Sequence, residues 1–389
     1  MAMKRLIVCC DGTWNDADSG DGFTNVVRIA RAIKAEDDTI KPGTKQIVYY
    51  HSGVGSGGDA LMHVVGGATG LGLSRNVRDA YAFIANNYCQ GDELFFFGFS
   101  RGAYTARSVA GLINWAGILH KTDMDDFALL WEGFKLRGEP NARDARTYFP
   151  DRYKDVPIKC IGVWDTVGSL GNPGYLNALL AKFYQFQDTN LGVRIENAFH
   201  ALAIDEHRKE FVPTLWQKLP GAPAEQRLEQ VWFAGAHSNV GGGYDEHGLS
   251  DVALAWMVDR VAPMLAINDL HLRDRQDRRA TWGLGRIYDS VSGVFAFLDR
   301  TNRNICAGSD TFETIHESVA TRFSGGGQLK EGPYQPKSMP DGITAATPVQ
   351  DLGDLEKGLR WPQADPTHTG GTSRPTPQAT DPLMRKLNI

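Results

Sequence analysis

The chain lacks any apolar run near the roughly 20 residues a helical bilayer span needs. It also lacks an excess of positive charge: 41 Lys and Arg face 46 Asp and Glu, a net charge of -5. The first absence excludes a helical membrane span. The second removes the basic footprint that nucleic-acid binding requires. Cysteine is scarce and odd in number, at five. Cys9, Cys10 and Cys160 lie in apolar runs and read as reduced core thiols. Cys89 and Cys306 show no metal-ligand spacing. The opening Met1-Ala2-Met3-Lys4-Arg5 leads into Leu6-Ile7-Val8-Cys9-Cys10, too short for a secretory core and followed by no small-residue cleavage site. The expectation is a protein made in the cytoplasm, with export by a signal-independent secretion system left open.

What is present is an alternation of strand-like and helix-like patterns. Apolar runs occur at Leu6–Cys10, Gln46–Tyr50, Glu93–Phe97, Ile158–Trp164 and Val231–Phe233. Between them Val26, Val27, Ile29, Ala30 and Ile33, and then Val77, Ala80, Tyr81, Ile84 and Tyr88, recur at helical spacing, the second helix starting near Arg75. This predicts an α/β fold: a mostly parallel sheet with helices on both faces and cap insertions. The expected division is a core over 1–262, a helical or irregular extension over 263–336, and a Pro-, Thr- and Gly-rich tail over 337–389 without regular structure. Residues 118–156 read as one cap insertion. Residues 170–195 read as either a lid or a crossover helix. Ile195–Ile204 reads as a helix, and Ser250 as the N-cap of a helix over Asp251–Arg260.

The most informative run is Gly98-Phe99-Ser100-Arg101-Gly102, set between an apolar strand and a small-residue helix, Ala103 to Trp115. G-x-S-x-G in that setting is the nucleophile-elbow pattern. The strand must turn sharply into the helix, and glycines on both sides remove side chains that would clash. The serine oxygen then stands above the sheet edge, at a helix N-terminus whose amides can hold an oxyanion.

A serine hydroxyl needs a general base, usually a histidine oriented by a carboxylate. In α/β-hydrolases the chain order is Ser, acid, His, with acid and base at strand C-termini. Asp165 ends the run Ile158–Trp164, and His237 follows Val231-Trp232-Phe233-Ala234-Gly235-Ala236. These are the expected acid and base. Asp205 and Glu206 are rival acids at the end of the expected helix. His200 and His207 flank that helix and read as structural or exposed; His51 precedes the serine. The oxyanion amides are expected from Arg101 and from Gly12 or Thr13, after the first strand. Leu176, Leu179, Leu180 and Phe183 are expected to line an acyl pocket or form a lid, with core packing as the alternative.

Gly53-Val54-Gly55-Ser56-Gly57-Gly58 matches a dinucleotide-binding pattern, but no helix opens at once after it and no Walker lysine is present. It reads as a rim of the active site. Two other classes stay open: a patatin-like Ser-Asp dyad, although Asp11-Gly12-Thr13 lies upstream of the serine, and a non-enzymatic binding or delivery module on a hydrolase fold.

Taken together, Cys10-Asp11-Gly12-Thr13-Trp14-Asn15, the elbow through Ala103, Val163-Trp164-Asp165-Thr166-Val167-Gly168, His200-Ala201-Leu202-Ala203-Ile204-Asp205-Glu206 and His237-Ser238-Asn239-Val240-Gly241-Gly242-Gly243 resemble one family. It is a group of α/β-hydrolase-like proteins, once a domain of unknown function, that includes type VI secretion phospholipase effectors. The resemblance spans roughly the first 260 residues. It implies a triad on Ser100, Asp165 and His237 and hydrolysis of esters, glycerophospholipids among them. It implies no metal and no cofactor. In those effectors a membrane-docking insertion or domain accompanies the core. Here the cap stretches and the tail are the candidates, and the low net charge predicts peripheral contact through apolar groups.

Overall fold

Why the sheet of this protein is parallel is visible in its strands, which are apolar on both faces, as strands covered by helices on both sides must be. The computed structural model describes residues 2–12, 22–53, 70–167, 189–291, 299–306, 308, 310–325, 332–339, 341–344, 347–361, 363–365 and 367–368. The strands are β1 Lys4–Cys10, β2 Lys45–His51, β3 Glu93–Phe99, β4 Cys160–Trp164, β5 Asn190–Leu191, β6 Asn197–Ala203, β7 Gln217–Lys218, β8 Arg227–Phe233, β9 Glu313–His316 and β10 Val349–Gln350. The helices are α1 Asn25–Ala32, α2 Gly70–Asn87, α3 Arg101–Ala116, α4 Phe127–Lys135, α5 His237–Gly241, α6 Gly248–Val261, α7 Asp269–Arg273, α8 Glu317–Ser324 and α9 Asp354–Leu359.

Eight strands form one sheet in the order β10-β9-β8-β6-β4-β3-β1-β2, while β5 and β7 pair by themselves. Every neighbouring pair is parallel. Leu6, Val8, Cys10, Leu94, Phe96, Ile161 and Val163 point to one face and are buried with α2, α3 and α4. Ile7, Cys9, Phe95, Phe97, Phe99, Cys160 and Trp164 point to the other and are buried with α1 and α6. This is the period of two expected of strands.

β1 has β2 on one side and β3 on the other. The chain therefore reverses its direction of winding there, and a crevice opens beyond the C-terminal ends of β1 and β3. The registers Cys10↔Gly98, Phe99↔Trp164, Trp164↔Ala201 and Ala203↔Phe233 bring the ends of β1, β3, β4, β6 and β8 to that same edge. The α/β-hydrolase-like fold class is therefore as expected.

Several local expectations are corrected. The stretch Ile195–Ile204 is not a helix but contains β6, an inner strand whose alanines and two-sided burial hide the alternation that identifies a strand. His200 is therefore a core residue of a strand. Helix α2 begins at Gly70, before Arg75. Helix α6 begins at Gly248, and Ser250 lies in its first turn, donating its hydroxyl to the His247 carbonyl at 3.0 Å.

Residues 118–156 place Phe127, Leu130, Trp131 and Phe134 in the core beside α2 and α3, so these side chains cover the helical layer. The tail is not devoid of regular structure: β10 closes the sheet edge and α9 packs beside α6. His316 and Glu356, both fully buried, meet at 2.6 Å. The extension supplies β9, an unexpected strand of the main sheet. Residues 168–188, with Leu176, Leu179, Leu180 and Phe183, lie outside the described residues, as does Thr13.

Trp361 is 4% exposed and meets the Trp282 ring edge-on at 4.8 Å. Trp361→Ala should therefore cost about 3–5 kcal/mol in urea unfolding. A loss within about 0.5 kcal/mol, the range of surface substitutions, would show that the tail is not part of the core.

Candidate active site

Ser100 follows β3 directly and caps α3 with φ 56° and ψ -123°. That left-handed backbone costs on the order of 1–3 kcal/mol and is held only by its surroundings. A Cβ on Gly98 would stand 2.5 Å from the Ala103 Cα, and one on Gly102 would stand 2.1 Å from the Cys10 carbonyl oxygen. Both glycines of the elbow are thus required by close approach. The second contact also seats the first turn of α3 on the end of β1. Arg101 is the first residue of α3, where the backbone N–H has no carbonyl of its own helix to meet.

Asp165 directly follows β4 with φ 41° and is fully buried. Its Oδ2 lies 2.6 Å from Nδ1 of His237, and its Oδ1 accepts the Ala203 N–H at 3.1 Å. His237 opens α5, just beyond β8, and is 5% exposed. Its ring lies tilted against Phe99, the residue before Ser100, with centroids 4.5 Å apart, and meets Phe211 edge-on at 5.0 Å. A Cβ on Gly241 would strike the Phe99 ring, so α5 lies directly on the elbow strand. Asp165 and His237 are therefore paired, and the imidazole is packed against the strand that leads to Ser100. Burial pushes the imidazole below its ordinary pKa, outweighing the bond to Asp165 that raises it. A neutral imidazole is the form that accepts a proton.

The rival acids have other partners. Asp205 accepts the Gly235 N–H at 2.7 Å and the Tyr334 hydroxyl at 2.8 Å. Glu206 accepts the His237 N–H at 3.2 Å and is gripped by Arg208 at 2.8 and 2.9 Å. Burial opposes the charge of Glu206, but Arg208 holds its pKa at about 2. Both carboxylates fasten the backbone of the loop that carries His237.

His200 is buried in β6, with its Nε2 accepting the Thr166 N–H at 3.1 Å. Nδ1 then carries the proton and faces Gln230 Oε1 at 3.2 Å. Burial, with the Arg107 charge, drives its pKa down to about 3, so it stays neutral and holds the turn after Asp165.

Gly12 directly follows Asp11 at the end of β1. Its N–H donates to its own neighbour's carboxylate, Asp11 Oδ1, at 2.7 Å. Asp11 also takes hydroxyl bonds from Thr24 at 2.6 Å and Tyr50 at 2.8 Å. Burial raises its pKa to about 6. A short acidic side chain after a strand satisfies local amides, and this use engages the amide expected to face the serine.

Sequence reasoning missed Arg303. It lies in the extension, 138 residues from Asp165, and grips that carboxylate with both terminal nitrogens, at 2.6 and 3.0 Å. It also donates to the carbonyls of Ala203 at 2.8 Å and Phe211 at 2.5 Å. Burial works against the charge of Asp165, but Arg303 first and His237 second hold its pKa well below the usual carboxylate range. A lone arginine in an irregular stretch carries no pattern that could have signalled this.

The family described as "T6SS, Phospholipase effector Tle1-like, catalytic domain" matches residues 4–260. The chain belongs to this family. Among curated proteins it is similar to "Uncharacterized protein YEL023C" of Saccharomyces cerevisiae, 26% identical over 243 residues, covering 57% of this chain and 34% of the yeast protein. Among solved structures it is similar to an uncharacterized protein from Pseudomonas aeruginosa, at 20% identity and TM-score 0.39, covering 67% of this chain and 45% of the other. It is also similar to the Tle1 effector bound to the VgrG spike from the type VI secretion system, at 19% identity and TM-score 0.32, covering 62% and 51%. The chain thus spans about a third of the yeast relative and about half of each solved chain. Arg303 falls beyond the matched residues. No helix among the described residues is long and apolar enough to cross a membrane.

Arg303→Met should free the charge of Asp165 to act on His237 alone. The pKa of His237, followed by NMR titration of the imidazole, is expected to rise, and stability to fall by about 3–5 kcal/mol as a buried pair is broken. Arg303→Lys should restore part of both. An unchanged His237 pKa in a folded variant would reduce Arg303 to a strap between loops.

His200 has a folded pKa below its unfolded value of about 6.5. Its contribution to stability is therefore full above that value and is lost as pH falls toward about 3. His200→Gln should flatten the pH dependence of unfolding over this window by up to about one proton. Parallel curves for the two proteins would contradict the neutral assignment.

Proposed function

We propose that the protein is a serine hydrolase of carboxylic esters, phospholipid acyl esters among them, with Ser100 as nucleophile, His237 as base and Asp165 as orienting acid. The observation that carries this reading is the 2.6 Å pair of Asp165 and His237, with the imidazole packed on the residue that precedes a backbone-strained serine. Membership of a phospholipase effector family supports the ester class.

In this mechanism His237 takes the hydroxyl proton as Ser100 attacks the ester carbonyl. Asp165 holds Nδ1–H and stabilises the imidazolium. The backbone N–H of Arg101 supplies one oxyanion contact, and the loop containing Thr13 is assigned the second. His237 then protonates the leaving alcohol. Water, deprotonated by the same imidazole, attacks the acyl-enzyme, and the imidazolium gives that proton to the departing Ser100 oxygen. We assign Leu176, Leu179, Leu180 and Phe183 to the acyl group, on their apolar spacing shortly after Asp165.

Ser100→Ala and His237→Ala should each abolish turnover of p-nitrophenyl esters and labelling by a fluorophosphonate, on folded protein. Asp165→Asn should lower turnover by about 10³–10⁴-fold. Full activity in His237→Ala would point to a Ser-Asp dyad, and absence of labelling in the wild type to a binding module. A wild-type preference for acetate over longer acyl chains would return the four apolar residues to core packing.

A further inference from the structure

The backbone just after β1 supports the turn of Ser100. A Cβ on Gly102 would stand 2.1 Å from the Cys10 carbonyl oxygen and 2.4 Å from that of Asp11, so the first turn of α3 rests on these two peptides. Asp11 is anchored in turn. Its N–H donates to the His51 carbonyl at 2.9 Å, at the end of β2. Its buried carboxylate accepts three bonds: from the Gly12 N–H at 2.7 Å, the Tyr50 hydroxyl of β2 at 2.8 Å and the Thr24 hydroxyl at 2.6 Å.

Thr24 carries the connection on to the helix of His237. It is the N-cap of α1, and its backbone pairs with Gly242, the residue that ends α5. The approach is close: Gly242 has φ 87°, and a Cβ there would stand 2.8 Å from the Thr24 Cα. The next residue, Asn25, is fully buried and donates to the carbonyls of Val240 in α5 and Ser250 in α6, each at 2.9 Å. Helix α5 has five residues, so its two ends lie about 6 Å apart at 1.5 Å per residue. A displacement at Gly242 therefore reaches the imidazole with little chain between to absorb it.

A residue that merely capped the turn after β1 would need the Gly12 bond alone. Asp11 does more, since its other oxygen draws in β2 and the start of α1. The contacts Gly102 to Asp11, Asp11 to Thr24 and Thr24 to Gly242 form one path between the two helices, and it does not pass through Asp165. We propose that Asp11 is a positioning residue that sets the turn of Ser100 and the helix of His237 relative to each other through Thr24. The inference rests on the roles proposed for Ser100 and His237, because proton transfer between them depends on their separation.

The test uses the full chain and two readouts: kcat and KM on p-nitrophenyl butyrate, and amide hydrogen exchange over residues 98–106 and 237–244. Asp11→Ala and Thr24→Val should each lower kcat by roughly tenfold to a hundredfold with KM little changed, the signature of misplaced groups. Exchange should rise in both segments while β9 stays protected. The double variant should be scarcely slower than Asp11→Ala, because both changes cut one path. Asp11→Asn should recover most of the loss, since its carbonyl can accept the Gly12 N–H and its amide can donate to the two hydroxyls. A normal kcat in folded Asp11→Ala overturns the proposal. So does a rise in exchange confined to one segment, or one spread evenly over the sheet with β9 included. If Asp11→Ala does not fold, Thr24→Val, which keeps the side-chain volume, carries the same comparison. A wild type without turnover refutes the ester reading instead, and the exchange of the two segments then decides the role of Asp11.

Discussion

The carboxylate of Asp165 keeps its charge while shielded from solvent, and the surrounding architecture is what makes this tolerable. An ionised carboxylate taken out of water costs several kcal/mol even after relaxation. Here the cost is met by a guanidinium from one loop, an imidazole from another and a backbone amide from β6. Those partners fix the relative positions of β4, β6, the turn after β8 and the segment around residue 303. Removing any one leaves the others facing an uncompensated group.

The same principle extends outward in a second ring of buried charge. Glu206 holds the amide of His237 and is held by Arg208, whose guanidinium lies 3.5 Å over the Phe211 ring. Phe211 in turn meets the His237 ring and lends its carbonyl to Arg303. The imidazole is therefore constrained through its ring faces, its backbone and its Nδ1, and little is left to a flexible loop. Such over-determination is what holding a reactive geometry requires.

How much of this was legible in the sequence depends on how locally it is encoded. Ser100, Asp165 and His237 each follow a long apolar run, and the strand ends could be read directly. The two elbow glycines announce a close approach, and the packing on Cys10 bears them out. β6 departs from its expected helix because an inner strand buried on both faces loses its alternation, and its alanines favour the helical reading. β9 and β10 have four and two residues, too short for any period to appear. Their place in the sheet is decided by neighbours far away in the chain. Arg303 is the extreme case: its partner is fixed by the fold alone.

The distance along the chain between Asp165 and Arg303 gives the site a history as well as a geometry. A ribosome adding about 5–20 residues per second needs roughly 7–28 s to cover the 138 residues between them. During that interval β1, β3 and β4 are already synthesised, yet the acid has no guanidinium, and β8 lacks the neighbour that β9 will provide. A sheet that formed before the extension arrived would have β8 as an open edge and Asp165 without its guanidinium. The guanidinium that neutralises Asp165 is thus among the later parts of the chain to be made.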